Sequence, residues 1–230
     1  MLARCSHADA TQRQASGEPR THLFRLDQPA TWSNPPLDGR AVVWTFPAQP
    51  IGLVQQFHRA ALQTTSNLIV LGSTSAYALP SPQAEGAGIV AVSESSPLDM
   101  DQPRVVGEEW LRTQGATILQ LAGIVGPGRE PEAWLCAGRI KDGAKLVNLI
   151  HVDDIVSVIA HLLAHPRPGQ RINVGNGEPV AWRTLAASLK RQGRLPLDHV
   201  LASSGPDAHG KRVDARRLRA VLPDHRFRQP

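Results

Sequence analysis

Three hydroxyls follow one another at Ser73, Thr74 and Ser75, directly after Gly72 and the short apolar run 67–71. A serine in such a place can hydrogen-bond a reacting hydroxyl and hold it in line, which is the task of a positioned acid–base group. Farther along, His151, Asp153 and Asp154 supply the other ingredients of a nucleophile relay. The chain order Ser, His, Asp and the absence of a GxSxG elbow argue against one. His151 precedes a helix start and reads as a packing residue. His161 and His165 are one helical turn apart, but Leu162 stands where a zinc protease has its glutamate, and no third ligand accompanies them. Cys5 and Cys136 lack CxxC spacing, so neither a zinc site nor a disulfide framework is expected, and both read as buried thiols. The segment 122–129, AGIVGPGR, carries three glycines that let backbone approach a ligand, or that serve tight turns alone.

The elements that must position these residues alternate. Residues 67–71 are bounded by polar residues and read as a strand buried on both faces of a parallel sheet. Ligands of open α/β sheets sit at the carboxyl ends of such strands, where the hydroxyls fall. Strands are expected at 1–5, 21–26, 41–46, 116–121, 146–152 and 171–174. Helices are expected at 8–15, 53–62, 108–113, 182–191 and from Asp214 to a stop at Pro223, with another starting at Asp153 and Asp154, whose carboxylates suit a helix N-terminus. Residues 79–103 are rich in proline, serine and glycine and predict a long irregular excursion of the kind that forms a lid or a substrate edge.

Composition narrows the partners. At 41% hydrophobic residues and 230 in length, the chain can bury a full core. It lacks an 18-residue apolar run, and its start, MLARCSHADA, lacks a secretory apolar stretch, so a cytoplasmic protein without membrane association is expected. The net charge of +5 gathers near the end, in residues such as Lys211, Arg212, Arg216, Arg217 and Arg219. With aromatics at 4% and only Phe227 beside that run, stacking platforms are missing, and a solvated basic helix is expected rather than nucleic-acid binding.

Four segments taken together, GSTSAY at 72–77, ILQLAGIVGPGR at 118–129, NLIHVDDI at 148–155 and INVGNGEPV at 172–180, resemble the extended short-chain dehydrogenase/reductases, the NAD-dependent epimerase/dehydratases, and their atypical members in particular. The closing helix VDARRLRAVL agrees with that family as well. The resemblance implies an α/β protein with a Rossmann-type, doubly wound parallel sheet over residues 1–124 and a small C-terminal lobe over 125–230. That lobe covers a small-molecule substrate, often a nucleotide-linked sugar, and NAD or NADP is the implied cofactor. Matched residue by residue, Ser73 takes the place of the catalytic Ser/Thr that hydrogen-bonds the reacting hydroxyl. Asp27 takes that of the acidic residue at the adenine, Pro47 flanks the cofactor ribose, and Leu121, Gly123 and Ile124 lie in the loop beside the nicotinamide. Arg4 and Ser6 resemble a 2′-phosphate site and point toward NADP.

Two departures qualify these expectations. The family's general base is the tyrosine of Tyr-x-x-x-Lys; here the single tyrosine, Tyr77, is followed four residues on by Ser81, and Arg104 and Glu108 stand where the pair would be. None of the 19 glycines forms GxGxxG or GxxGxxG. The chain starts at what would be the second strand, without the turn and helix N-terminus that cradle a pyrophosphate. It is expected to be either a shortened version of a longer product or a chain that has lost its dinucleotide grip. A missing central strand would leave unpaired edges and apolar faces, which predicts low solubility or a homo-oligomer. An enzyme performing redox or epimerase chemistry and a non-catalytic NADP(H) sensor or interaction module both fit this sequence.

Overall fold

The computed structural model describes residues 9–12, 20–33, 36–79, 88–202, 205 and 207–229. In chain order they form β1 (Ala10–Gln12), β2 (Thr21–Leu23), β3 (Ala41–Trp44), α1 (Ile51–Phe57, prolonged by a π-turn His58–Leu62) and β4 (Asn67–Ser73). Next come β5 (Ile89–Val92), α2 (Pro103–Thr113), β6 (Thr117–Leu121), β7 (Gly123–Val125), α3 (Pro131–Cys136), β8 (Leu146–Val147) and β9 (Leu149–His151). The chain ends with α4 (Val152–Ala164), β10 (Arg171–Val174), β11 (Val180–Ala181), α5 (Trp182–Arg191), β12 (Gly210–Val213) and α6 (Arg216–Val221). These elements divide into two compact units: the described residues of Met1–Gly72, Met100–Ile118 and Leu162–Gln170, and those of Ser73–Asp99, Leu119–His161 and Arg171–Pro230.

In the first unit β3 and β4 run parallel, with Ala41 opposite Asn67 and Trp44 opposite Val70. A parallel pair needs a crossover, and α1 provides it. Its apolar residues Val54 and Phe57 fall on one face and pack with Trp44, Leu68, Val70, Leu111 and Ile118. Burying each large side chain of that cluster contributes about 1.5–3 kcal/mol. Rings meet edge-on or tilted around Phe57, with Trp32 at 5.3 Å, Trp44 at 5.6 Å and Phe24 at 5.0 Å. Pro103 opens α2, where its missing N–H costs nothing. The same helix approaches the loop after β3 so closely that a Cβ at Gly107 would lie 1.8 Å from the carbonyl oxygen of Ala48.

The second unit pairs β7 with β9 and β5 with β12 in parallel, and β8 with β11 antiparallel. Ala122 N–H donates to Val174 O at 2.9 Å, continuing the pairing of β6 with β10. The core gathers Leu135, Leu149, Trp182, Leu185, Leu189 and Leu195, and a smaller cluster joins Tyr77, Val92 and Val213. Asp154 in the first turn of α4 is fully buried and accepts from the backbone N–H of Arg228 at 2.8 Å and from its guanidinium at 2.8 Å, with His225 Nε2 at 3.1 Å.

Several expectations need correction. Within 8–15 the described residues include a strand, β1, not a helix; it pairs in parallel with β2, from Ala10 opposite Thr21 to Gln12 opposite Leu23, and pairing overrides local helix preference. Within 79–103, β5 pairs with β12 from Ile89–Gly210 to Val92–Val213. Residues 123–125 are strand rather than open loop, and 146–152 is broken at Asn148 into two strands. Helix α2 begins at Pro103, five residues ahead of the expected start at Glu108. Cys136 is exposed, at the end of a short helix. The strand expected at 1–5, Cys5 and Ser81 lie outside the described residues. Among the described residues no helix is long and apolar enough to cross a membrane.

Candidate functional site

Two groups of candidate residues can be built up, one in each unit. In the first unit, the loops leaving β2 and β3 enclose a cleft of about 620 Å³. Its walls are Phe24, Leu26, Phe46, Pro47, Pro50 and Leu53, with Thr11, Thr45 and Gln49 adding polar edges and Arg25 and Asp27 completing the lining. Phe24 and Phe46 lie 5.6 Å apart with tilted rings. Asp27 and Pro47, matched separately to the cofactor's adenine and ribose, thus share one cleft. Arg25 is the residue that the sequence reading missed. Its Nε donates to Asp27 Oδ1 at 3.1 Å and its Nη2 to Oδ2 at 2.9 Å, a bidentate fork across a carboxylate. Bonding to Asp27 holds the Arg25 guanidinium above its ordinary pKa. An arginine two residues before an acidic residue at a strand end was the available signal.

Arg104 and Glu108, one turn apart on α2, are an ion pair at 2.7 Å, and Glu108 is nearly sealed from solvent. Arg104 also donates to Gln102 Oε1 at 3.1 Å. Arg4 and Ser6 lie outside the described residues.

In the second unit, Ser73 ends β4 and caps the single 3₁₀ turn Thr74–Ala76. Its Oγ accepts from the backbone N–H of Ser75 at 3.2 Å and lies 3.1 Å from Ser75 Oγ. Small hydroxyl residues favour this geometry because the side chain bonds its own backbone two residues on. Leu121 is buried at the end of β6, whereas Gly123 is exposed and Ile124 half-buried in β7. Gly123 N–H donates to Asn148 O at 2.9 Å. Gly126 follows with φ of 144°, where a Cβ would also strike Val152 Cγ1 at 2.7 Å.

Tyr77 is buried, and its hydroxyl donates to Asn173 Oδ1. Desolvation raises its pKa well above the ordinary tyrosine value, so the phenol stays neutral at physiological pH. Among the described residues no group of three or more His, Cys, Asp or Glu is arranged to hold a metal ion.

By fold, the chain is a Rossmann-type α/β protein sharing the architecture of NAD-dependent epimerase/dehydratase and short-chain dehydrogenase/reductase structures. A Methylobacillus flagellatus protein named for the NAD-dependent epimerase/dehydratases superposes with a TM-score of 0.73 at 20% identity, over 95% of this chain and 84% of that one. MoeE5, solved with UDP-glucuronic acid and NAD, superposes with a TM-score of 0.70 at 18% identity, over 100% of this chain and 89% of its own. By sequence, the chain is 32% identical over 154 residues to Protein YeeZ of Escherichia coli strain K12, covering 60% of this chain and 53% of YeeZ. The chain thus spans about half the length of the curated relatives that it matches. No protein-family model matches it.

Proposed function

We propose that this chain is an atypical member of the epimerase/dehydratase branch of the short-chain dehydrogenase/reductases, binding NAD or NADP and acting by redox or epimerase chemistry on a hydroxyl-bearing substrate. The observation that carries the reading is the cleft at Asp27 and Pro47. Two aromatic rings and aliphatic walls suit a flat heterocycle, and the polar edge beside Asp27 suits a ribose. Arg25 at the same edge favours NADP, because a guanidinium takes up a 2′-phosphate that a lone carboxylate would repel. Ser73 would orient the substrate hydroxyl, Leu121, Gly123 and Ile124 would border the nicotinamide, and residues 125–230 would make the substrate lobe. Arg104 and Glu108 stand as candidates near the reacting centre. The MoeE5 complexes with UDP-glucuronic acid and UDP-glucose support a nucleotide-linked sugar as the substrate class.

A second reading is favoured by one observation. The single tyrosine is buried and held neutral, so a tyrosinate base is not on offer, and a non-catalytic NADP(H) sensor or interaction module fits that. Titrating the purified chain with NADPH and NADH, followed by nicotinamide fluorescence, tests both readings. Binding in the micromolar range with NADPH ahead of NADH is expected. Failure of both nucleotides to bind would contradict the cofactor reading. Binding without turnover on UDP-sugars would favour the sensor.

A further inference from the structure

Lys211 stands apart from the three other lysines of the chain, Lys141, Lys145 and Lys190, because it reaches the Ser73 turn. Its ammonium, carried on β12, donates to the carbonyl oxygen of Thr74. That carbonyl and the N–H of Ser75 belong to one peptide unit, and the N–H in turn donates to Ser73 Oγ at 3.2 Å. A continuous relay therefore runs from ammonium to carbonyl, through the peptide to its N–H, and on to the serine oxygen. Bonds in such a series polarise one another. A cation at one end strengthens the amide as a donor. A serine oxygen that accepts a stronger hydrogen bond is itself a better donor through its own O–H.

The lysine is not left to find this place by chance. Asn148, at the break between β8 and β9, donates through Nδ2 to Lys211 O at 2.7 Å and accepts through Oδ1 from Val213 N–H at 2.9 Å. Its backbone oxygen holds Gly123 N–H at 2.9 Å. One asparagine thus ties the lysine strand to the segment that starts at Gly123, and the four-residue register of β12 with β5 fixes the strand from its other side. Ordering a lysine side chain costs rotamer entropy, which the bonds that hold β12 and the ammonium in place offset.

We infer that Lys211 is a positioning residue for Ser73: through the Thr74–Ser75 peptide it orients and polarises the Ser73 hydroxyl toward a hydroxyl oxygen of a sugar or ribose ligand. This supplies from β12 a positive charge that the chain does not take from a Tyr-x-x-x-Lys pair. The ligand part rests on the function proposed above, whereas the relay does not.

The test uses the full chain, isotopically labelled, without ligand. The amide proton of Ser75 is expected to move upfield in Lys211→Met, to stay near its original position in Lys211→Arg, and to move again in Ser73→Ala. Lys211→Gln, uncharged but still able to hydrogen-bond, is expected to give a shift between those of Lys211→Arg and Lys211→Met. A Ser75 amide unmoved by Lys211→Met, in a variant whose other amides keep their positions, would overturn the inference. A Lys211→Met chain that fails to fold leaves Lys211→Gln to decide, and a Ser75 amide at its original position there would overturn the inference equally. Absence of NADPH and NADH binding would instead contradict the proposed function and leave the amide signal as predicted.

Discussion

The cleft at Asp27 and the turn at Ser73 are built from opposite materials. The first is walled by rings and aliphatic side chains, with a single ion pair at its edge. The second is a run of hydroxyls and peptide groups that a lysine holds from behind. Burial of apolar area gives affinity, whereas short directional bonds give orientation. The cleft can therefore bind without being exact, but the turn is useful only while its geometry holds. Substitutions should separate the two: those near the cleft alter affinity or stability broadly, and those behind the turn alter alignment with smaller effects on stability.

The largest effect is expected from Gly107→Ala. A Cβ 1.8 Å from the Ala48 carbonyl must push α2 away from the loop that carries Pro47, and overpacking of this kind costs roughly 3 kcal/mol. Urea unfolding should show the loss, and an unchanged midpoint would break the picture of a helix seated against that loop. Asn148→Ala comes next, at about 2 kcal/mol, because it strips hydrogen-bond partners from Lys211 O and Val213 N–H. It should also disturb the Ser75 amide, which Gly107→Ala should leave in place.

Tyr77→Phe is a smaller step, about 1 kcal/mol, since it removes one buried hydrogen bond to Asn173 without opening a cavity. The same tyrosine gives a pH prediction. Its folded pKa is raised above the unfolded value near 10, so its contribution to stability is complete below pH 10 and declines above it as the unfolded chain ionises first. Absorbance at the tyrosinate band should stay flat through pH 10 and rise only with unfolding. A normal titration in the folded chain would contradict burial of that ring.

The smallest effect lies at the edge of the first unit. Asp9, hydrogen-bonded by Arg40 and by Arg20 at 3.1 Å, has its pKa lowered to about 2. A depressed carboxylate stabilises the fold above its unfolded pKa, so this contribution is whole above about pH 4 and fades between there and pH 2. Asp9→Asn should flatten the stability profile in that window, lowering stability at neutral pH by a constant amount and leaving it unchanged near pH 2.

The sequence made parts of this comparison legible and hid others for definite reasons. The strand before Ser73 announces itself because a run of apolar residues ended by Gly72 and three hydroxyls has few other conformations open to it. Asp153 and Asp154 marked the start of α4, though the complete burial of Asp154 depends on Arg228, which is 74 residues away. Strand β5 was concealed because its partner, β12, lies more than 100 residues later and its neighbours look like loop. Cys136 was expected inside from residue type alone, but α3 is short and turns its last residue outward. Lys211 sat in a charge run whose evident reading was a solvated face. The bond to Thr74 depends on strand pairing and on Asn148, neither of which spacing reveals.

The most direct test of the account is NADPH binding to the original chain and to Thr45→Trp, which places an indole in the cleft from an exposed position at the end of β3. Micromolar binding that weakens at least tenfold in the variant, at an unchanged melting temperature, is the predicted result. Equal binding by both chains would show that the nucleotide lies elsewhere and would contradict the account.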